Sequence, residues 1–230
     1  MRNPMAAAML AGALAVTGLA GFIATAQTAC ASLGGTIDGG QLCHVSASTP
    51  GYMLNMTFPV DYPDEQALTA FLTQNRDGFV NVAQTPGLRD VPYQMEVTSE
   101  QYHSGQRPGG TQSVMFKVFE DLGGPRPSTS YKGFNYDLGR RQPVTWDNLF
   151  VPGSKPLDAI YPIVQREIAH QNGLGVAITP STGLDPAHYQ NFAITDDDLI
   201  FYFAPGELLP SIAGASRVRV PRNAIPPLTV

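Results

Sequence analysis

The chain has 230 residues, the length of a single domain. Hydrophobic residues make up 43% of the chain and are enough for a sizeable core, whereas charged residues make up only 14%, and 23 Gly with 20 Pro indicate many turns rather than a helical bundle. The formal charge of −5 argues against nucleic acid and anionic membrane surfaces as partners, because both require a dense surface of Lys and Arg.

The N-terminus has the pattern of a secretory signal peptide over residues 1–26. Arg2 precedes an uncharged run from Met5 to Ala26, which ends in the A-x-A spacing that signal peptidases prefer. An uncleaved anchor is the alternative, because 22 uncharged residues could span a bilayer, although the many Ala and Gly residues make that span weakly hydrophobic. We therefore expect export, cleavage after Ala26, one secreted domain over residues 27–230, and no stable membrane insertion of the mature protein.

The chain contains two cysteines, Cys30 and Cys43, and export would place them in an oxidising compartment. In an oxidising compartment the expected outcome is a disulfide between them, which would hold the new N-terminus against the body of the protein. A metal site built from these cysteines and His44 would need more soft ligands than the neighbouring sequence contains. We expect no metal site and no cofactor.

The first half of the mature chain predicts a hairpin, a helix and two long strands. Alternating residues from His44 to Val60 surround Pro50-Gly51, which is typical of a hairpin. Residues 64–83 predict a helix with Pro63 at its first position, and 92–103 and 111–121 predict a strand pair. The apolar stripe expected on the helix consists of Leu68, Phe71, Leu72, Phe79 and Val82.

The second half begins with a strand at 129–138 and a short helical turn within 143–150. A second helix is predicted over 158–172, with Pro162 in its first turn, because proline inside a helix costs about 3 kcal/mol, and with Gly173 as its end.

The most apolar stretch of the chain, residues 185–210, predicts a hairpin at the centre of the sheet. The strand 216–220 closes that sheet. The order of elements predicts an α+β fold, with a mixed, mainly antiparallel sheet and two helices packed on it.

Catalytic motifs are absent from the sequence. No G-x-S-x-G elbow, S-x-x-K, phosphate loop, dinucleotide fingerprint or H-E-x-x-H occurs. His103 and Ser104 are the one adjacent pair that suggests a hydrolase, but sequence neighbours in a loop rarely form a triad. The acidic run Asp196–Asp198 lacks the spacing of a calcium loop and predicts a solvated turn. We assign no catalytic, cofactor-binding or metal residues, and interpret Arg140–Arg141, Arg217, Arg219 and Arg222 as solvated groups.

Two sets of segments carry a family resemblance. Residues 191–225 resemble the C-terminal module of lysozyme-sensing extracytoplasmic anti-sigma factors, and the similar part covers about 128–226; the sequence is NFAITDDDLIFYFAPGELLPSIAGASRVRVPRNAI. Four further segments resemble the mycobacterial secreted immunogenic antigens, and this resemblance extends over essentially all of the mature chain, including Cys30 and Cys43. These segments are YPDEQALTAFLTQNRDGFV, STSYKGFNYD, LDAIYPIVQREIAHQ and GLDPAHYQNFA.

The resemblance implies an exported immunogenic protein without an established cofactor. It favours a secreted or cell-envelope-associated monomer that binds a host protein or an envelope component without catalysis. The alternative is a secreted serine esterase that acts on short-chain or lipid esters. A purely structural role in the cell wall is a third hypothesis.

Overall fold

The computed structural model describes residues 29–85, 91–173 and 177–230. These residues form two β-sheets and several helices, which confirms the predicted α+β class. The predicted signal peptide, residues 1–26, lies outside them. Within the described ranges, no helix is long and apolar enough to cross a membrane.

The larger sheet has seven strands in chain order. They are β1 (Thr36–Ile37), β2 (Leu42–Ser48), β3 (Tyr52–Pro59), β4 (Tyr93–Ser104), β5 (Thr111–Asp121), β6 (Ser128–Asp137) and β7 (Gln142–Pro143). Neighbouring strands are antiparallel except β3 and β4, which run parallel because helix α1 (Glu65–Gln84) connects them. The sheet is therefore mixed and mainly antiparallel, as predicted, and β2–β3 is the expected first hairpin.

Helix α1 covers one face of this sheet. Asp64, not Pro63, sets its start, because the Asp64 carboxylate accepts a hydrogen bond from the backbone N–H of Ala67 at 3.2 Å. The predicted stripe is buried at Leu68, Leu72 and Phe79. Val82 is the exception at 44% exposure, because it faces a groove beside Leu122 rather than the sheet.

Three further helices follow: α2 (Trp146–Leu149), α3 (Pro156–Asn172) and α4 (Pro180–Gly183). Helix α3 begins before the predicted Asp158, so Pro162 lies inside the helix and not in its first turn. Pro162 is on the exposed side, where water can satisfy the carbonyl that it leaves without a donor. Gly173 ends α3 with φ of 58°, and its N–H donates to the Ala169 carbonyl at 3.1 Å, as predicted.

The second sheet contains β8 (Phe192–Ile194), β9 (Asp198–Phe203) and β10 (Ser216–Pro221), with β9 in the centre. The apolar hairpin therefore lies in a sheet of its own, which corrects its predicted place at the centre of the main sheet. Both faces of β9 are buried, since Ile200 and Tyr202 face the larger sheet while Phe201 and its alternate neighbours pack against α3. A strand buried on both faces is a continuous apolar run, and that pattern does not specify which strands pair with it.

Hydrogen bonds hold the small sheet on β5 and β6. The N–H of Ile194 donates to Ser113 Oγ at 3.1 Å, and Asn135 Nδ2 donates to the Phe192 carbonyl at 2.9 Å. At Gly133 a Cβ atom would lie 2.9 Å from the Phe192 carbonyl oxygen, so this close approach requires glycine.

The small sheet covers only part of the larger one. Its contacts fall mainly on β4, β5 and β6, opposite to the face that α1 covers. On β2 and β3, the corresponding side chains of His44, Ser46 and Asn55 are exposed. We call this uncovered surface the open face.

A disulfide fixes the N-terminal part of the described chain to β2. Cys30 and Cys43 are bonded with an S–S distance of 1.95 Å, as the sequence predicts. Gly35 lies against it, since a Cβ at this position would be 2.6 Å from the Cys43 sulfur. The link positions β1 and the turn that follows it next to the open face.

Candidate functional site

A hydroxyl, an imidazole and a carboxylate form a hydrogen-bonded chain on the open face. His44 and Thr57 are direct cross-strand partners on β2 and β3, and Thr57 Oγ1 lies 3.3 Å from His44 Nδ1. The other ring nitrogen, Nε2, lies 3.0 Å from Asp38 Oδ2. We call Asp38, His44 and Thr57 the relay. This order of groups, in which a base contacts a hydroxyl and is oriented by a third group, is the arrangement of nucleophilic catalysis.

The β1–β2 turn orients the Asp38 carboxylate. Its Oδ1 accepts backbone hydrogen bonds from Gly40 at 2.9 Å and from Leu42 at 3.0 Å, which leaves Oδ2 for the imidazole. The hydrogen bond with His44, followed by that with Leu42, lowers the pKa of Asp38, so the carboxylate stays ionised near neutral pH. An ionised Asp38 holds a proton on His44 Nε2, and the Nδ1 lone pair can then accept the Thr57 proton.

A second polar group joins the two sheets at the border of the open face. Glu100 Oε2 accepts hydrogen bonds from Tyr202 and from Arg217 Nη1, each at 3.1 Å, and also from Tyr102. The two tyrosine hydroxyls are 2.6 Å apart. Burial, and then the contact with Tyr102, raises the pKa of Tyr202, so its hydroxyl stays protonated and remains a donor.

A cleft of about 230 Å³ opens beside this group, between β4–β6 and β9–β10. We call it the cleft, and its lining is Thr98, Glu100, Met115, Lys117, Tyr131, Tyr202, Ala215, Ser216 and Arg217. Tyr131 packs on Tyr202 with ring centroids 5.4 Å apart, and the guanidinium of Arg217 lies 6.0 Å from the Tyr202 ring. Two cations, one carboxylate and several hydroxyl donors therefore surround one small volume.

The relay lies on the open face, and the cleft opens at the border of that face. Asn55 of β3 pairs with Glu96 of β4, so two residues further on Thr57 lies beside Thr98, and Thr98 pairs with Lys117. Because neighbouring strands are about 5 Å apart, the backbone of Lys117 lies about 10 Å from that of Thr57. One extended substrate can reach both.

The structure separates the residues that the sequence singles out for hydrolysis. His103 is exposed, whereas its neighbour Ser104 points to the other side of β4, where it is buried and accepts a hydrogen bond from Arg222 Nη1 at 3.3 Å. Adjacent residues of a strand face opposite sides of a sheet, so this pair cannot act together. Asp196 lies in the β8–β9 turn, where its carboxylate accepts from the Gly105 N–H at 2.6 Å.

The basic residues of β10 are paired rather than only solvated. Arg217 contacts Glu100, and Arg219 Nη1 lies 3.3 Å from Asp198 Oδ2. Over residues 29–85, 91–173 and 177–230, no group of three or more His, Cys, Asp or Glu side chains could hold a metal ion.

Sequence reasoning missed the relay because its members are far apart in the chain. Asp38 precedes His44 by six positions, and Thr57 follows it by thirteen. The alternation that predicts the first hairpin also places His44 and Thr57 on its polar face, but only the register makes them partners. A register assigned from the turn at Pro50-Gly51 is the signal that could have found them.

Comparisons with known proteins identify relatives of almost the whole chain. Residues 147–223 match the family described as protein of unknown function (DUF3298). The chain is 69% identical over 207 residues to Esterase Rv3036c of Mycobacterium tuberculosis (strain ATCC 25618 / H37Rv), which covers 90% of this chain and 91% of that protein. It is 45% identical over 205 residues to Immunogenic protein MPB64 of Mycobacterium bovis, and equally to Immunogenic protein MPT64 of Mycobacterium tuberculosis, with 88% of this chain and 90% of each relative covered.

A solved structure supports the fold independently. The crystal structure of a DUF3298 family protein from Pseudomonas aeruginosa PAO1 superposes with a TM-score of 0.52 at 12% identity, over 79% of this chain and 92% of that one. At this identity the similarity shows the fold alone.

Proposed function

This chain belongs to the family of the mycobacterial immunogenic proteins MPB64 and MPT64, and we propose that it is an exported hydrolase of carboxylic esters. The name of the 69% identical relative, an esterase, supports the reaction class. The signal-peptide pattern of residues 1–26 supports export and a secreted or wall-associated mature protein.

The relay is the observation that carries this proposal. In the relay, the Thr57 hydroxyl contacts the His44 ring, and the Asp38 carboxylate orients the same ring. The spacing of 3.3 Å between Thr57 and His44 is slightly longer than a strong hydrogen bond, which is usual before substrate binds. The His44 and Asp38 side chains are 44% and 43% exposed, so an ester can approach from solvent.

In the first half of the reaction, Thr57 Oγ1 attacks the ester carbonyl carbon while His44 Nδ1 takes its proton. The carbon–oxygen bond to the alcohol then breaks, the alcohol leaves with the proton from Nδ1, and the acyl group stays on Thr57. In the second half, water attacks the acyl carbon, Nδ1 takes its proton and returns it to Thr57, and the free acid leaves. Asp38 remains ionised throughout and stabilises the charged imidazole between the two transfers.

The test is hydrolysis of short-chain p-nitrophenyl esters by the mature protein, residues 27–230. We expect turnover by the wild-type protein and a loss of at least about 100-fold in Thr57→Ala, because a positioned base and nucleophile typically contribute that much. Ser46→Ala is the matched control, since Ser46 lies on the same face and its hydroxyl donates to Asn55 Oδ1 at 2.9 Å rather than to a histidine. Equal turnover in Thr57→Ala and the control, or none in the wild-type protein, would contradict the proposal.

The second candidate is a secreted protein that binds a host protein or a cell-envelope component without catalysis. It is supported by the 45% identical relatives, which are named immunogenic proteins. It predicts saturable binding of the monomeric mature protein in host-cell or envelope extracts. Binding no greater than that of a scrambled control would remove its support.

A further inference from the structure

The charges of the cleft do not cancel. Lys117 and Arg217 are cationic, and Glu100 is the one carboxylate among the residues that line the cleft. The Oε2 atom of Glu100 already accepts hydrogen bonds from Tyr102, Tyr202 and Arg217, so this carboxylate holds the side chains on one side of the cleft in place. An excess of one positive charge is left facing the cleft.

Two further hydrogen-bond donors line the cleft, Lys117 and Tyr131. Lys117 is exposed, and neither its amine nor the Tyr131 hydroxyl bonds any residue within 29–85, 91–173 and 177–230. Burial raises the pKa of Tyr131, so its hydroxyl stays protonated and can donate. An ammonium group and a phenol with no hydrogen bond to the described residues, held beside an anchored guanidinium, are the groups that recognise an anionic oxygen.

The size of the cleft selects a headgroup rather than a whole ligand. At about 230 Å³ it is smaller than the roughly 300–1,000 Å³ of sites that enclose a complete small molecule. The rest of a bound ligand must therefore continue onto the open face. The row of Thr98 and Thr57 leads from Lys117 directly to the relay.

We propose that the cleft is an anion subsite that binds a carboxylate or phosphate group of the ester substrate. Its role in substrate choice rests on the proposed esterase function, whereas anion binding itself does not. The preferred substrates are esters whose anionic group lies within about 10 Å of the carbonyl, the distance that separates Lys117 from Thr57 across two strand spacings. Neutral esters of the same length lack this contact.

A matched pair of substrates tests the subsite. Mono-p-nitrophenyl adipate and p-nitrophenyl hexanoate have acyl chains of equal length, but only the first carries a terminal carboxylate. We expect a lower KM for the adipate, and Lys117→Gln should raise that KM by about fivefold, as the loss of one exposed charge contact does. It should leave the hexanoate KM unchanged. Lys132→Gln is the control, because Lys132 lies on the opposite face of β6.

A binding measurement separates the two proposals. We expect inorganic phosphate or adipate, titrated by NMR, to shift the Lys117 and Tyr131 signals of the wild-type protein saturably, and not to shift the Tyr131 signal of Lys117→Gln. The anion that causes the larger shift, phosphate or adipate, identifies the chemistry of the group that the cleft binds. Hydrolysis without any adipate preference and without saturable shifts would overturn the subsite and leave the esterase intact. Saturable shifts without hydrolysis would overturn the esterase and its substrate choice, and leave the anion site.

Discussion

Thr57 lies directly opposite His44 on the neighbouring strand, with its hydroxyl oxygen 3.3 Å from the imidazole Nδ1. This contact depends on the register of one hairpin, because a shift by one residue would turn one of the two side chains to the opposite face of the sheet. Asp38 reaches the same imidazole from the preceding turn. The relay therefore lies in the N-terminal part of the chain, outside residues 147–223 that match the DUF3298 family, whereas the cleft combines residues from both parts.

We expect Asp38→Asn to lower kcat by about 10²–10⁴-fold with little change in KM. The asparagine amide would donate to His44 Nε2, which moves the ring proton to Nδ1 and removes the lone pair that accepts the Thr57 proton. Steady-state kinetics with a p-nitrophenyl ester measures the effect. Asp197→Asn in the exposed β8–β9 turn is the control, and an equal kcat in the two variants would show that Asp38 does not orient the base.

Gly133→Ala should destabilise the protein by about 1–3 kcal/mol, because the added methyl group would meet the Phe192 carbonyl and the end of Met115, each at 2.9 Å. Gly124→Ala is the matched control, since a Cβ there has no heavy atom within 4 Å. Urea unfolding measures both. If the two variants have the same stability, the small sheet does not pack on β6 as described.

Glu120→Gln should remove part of the pH dependence of stability. Burial raises the pKa of Glu120, so its ionisation opposes folding. Its contribution to stability is therefore fully present below the pKa of the unfolded chain and is lost as the pH rises through the folded pKa. We expect the variant to be more stable than the wild-type protein near about pH 7 and equal to it near about pH 3. The exposed Glu96→Gln should not gain stability between these two pH values. The same gain in that variant would assign the effect to net charge.

Replacing both Cys30 and Cys43 with Ala should lower the free energy of unfolding by about 3 kcal/mol, the entropy expected from closing a short loop. Dithiothreitol should destabilise the wild-type protein to the same extent and leave the double variant unchanged. Urea unfolding with and without reductant measures this. A wild-type protein that keeps its stability after both thiols are released would contradict a stabilising role of the link.

Local patterns were sufficient for the elements whose burial is one-sided. The alternation of β2–β3 and the apolar stripe of α1 indicate both element type and buried face, because each has polar residues on its other side. The sequence also predicts helix α3, but with a start at Asp158 that is two residues too late, because an exposed proline such as Pro162 is tolerated further inside the helix than the general cost suggests.

The sequence does not predict that the chain forms two sheets or how the two sheets pack on each other. The run from Leu199 to Phe203 is apolar on both faces, so the pattern indicates a buried strand without specifying its sheet. Glu100 and Arg217 are 117 positions apart, and their contact exists only once the small sheet lies on the large one. Both the cleft and the relay are products of register and packing, which periodicity does not encode.

Covalent labelling of the nucleophile tests the central claim most directly. The mature protein is treated with a serine-reactive phosphonate, which also reports an activated threonine, and the adduct is located by peptide mass spectrometry. The relay predicts one adduct per chain, on Thr57, with loss of ester turnover in proportion to labelling and no adduct in His44→Ala. An adduct on another residue, or full turnover with Thr57 unlabelled, would contradict it.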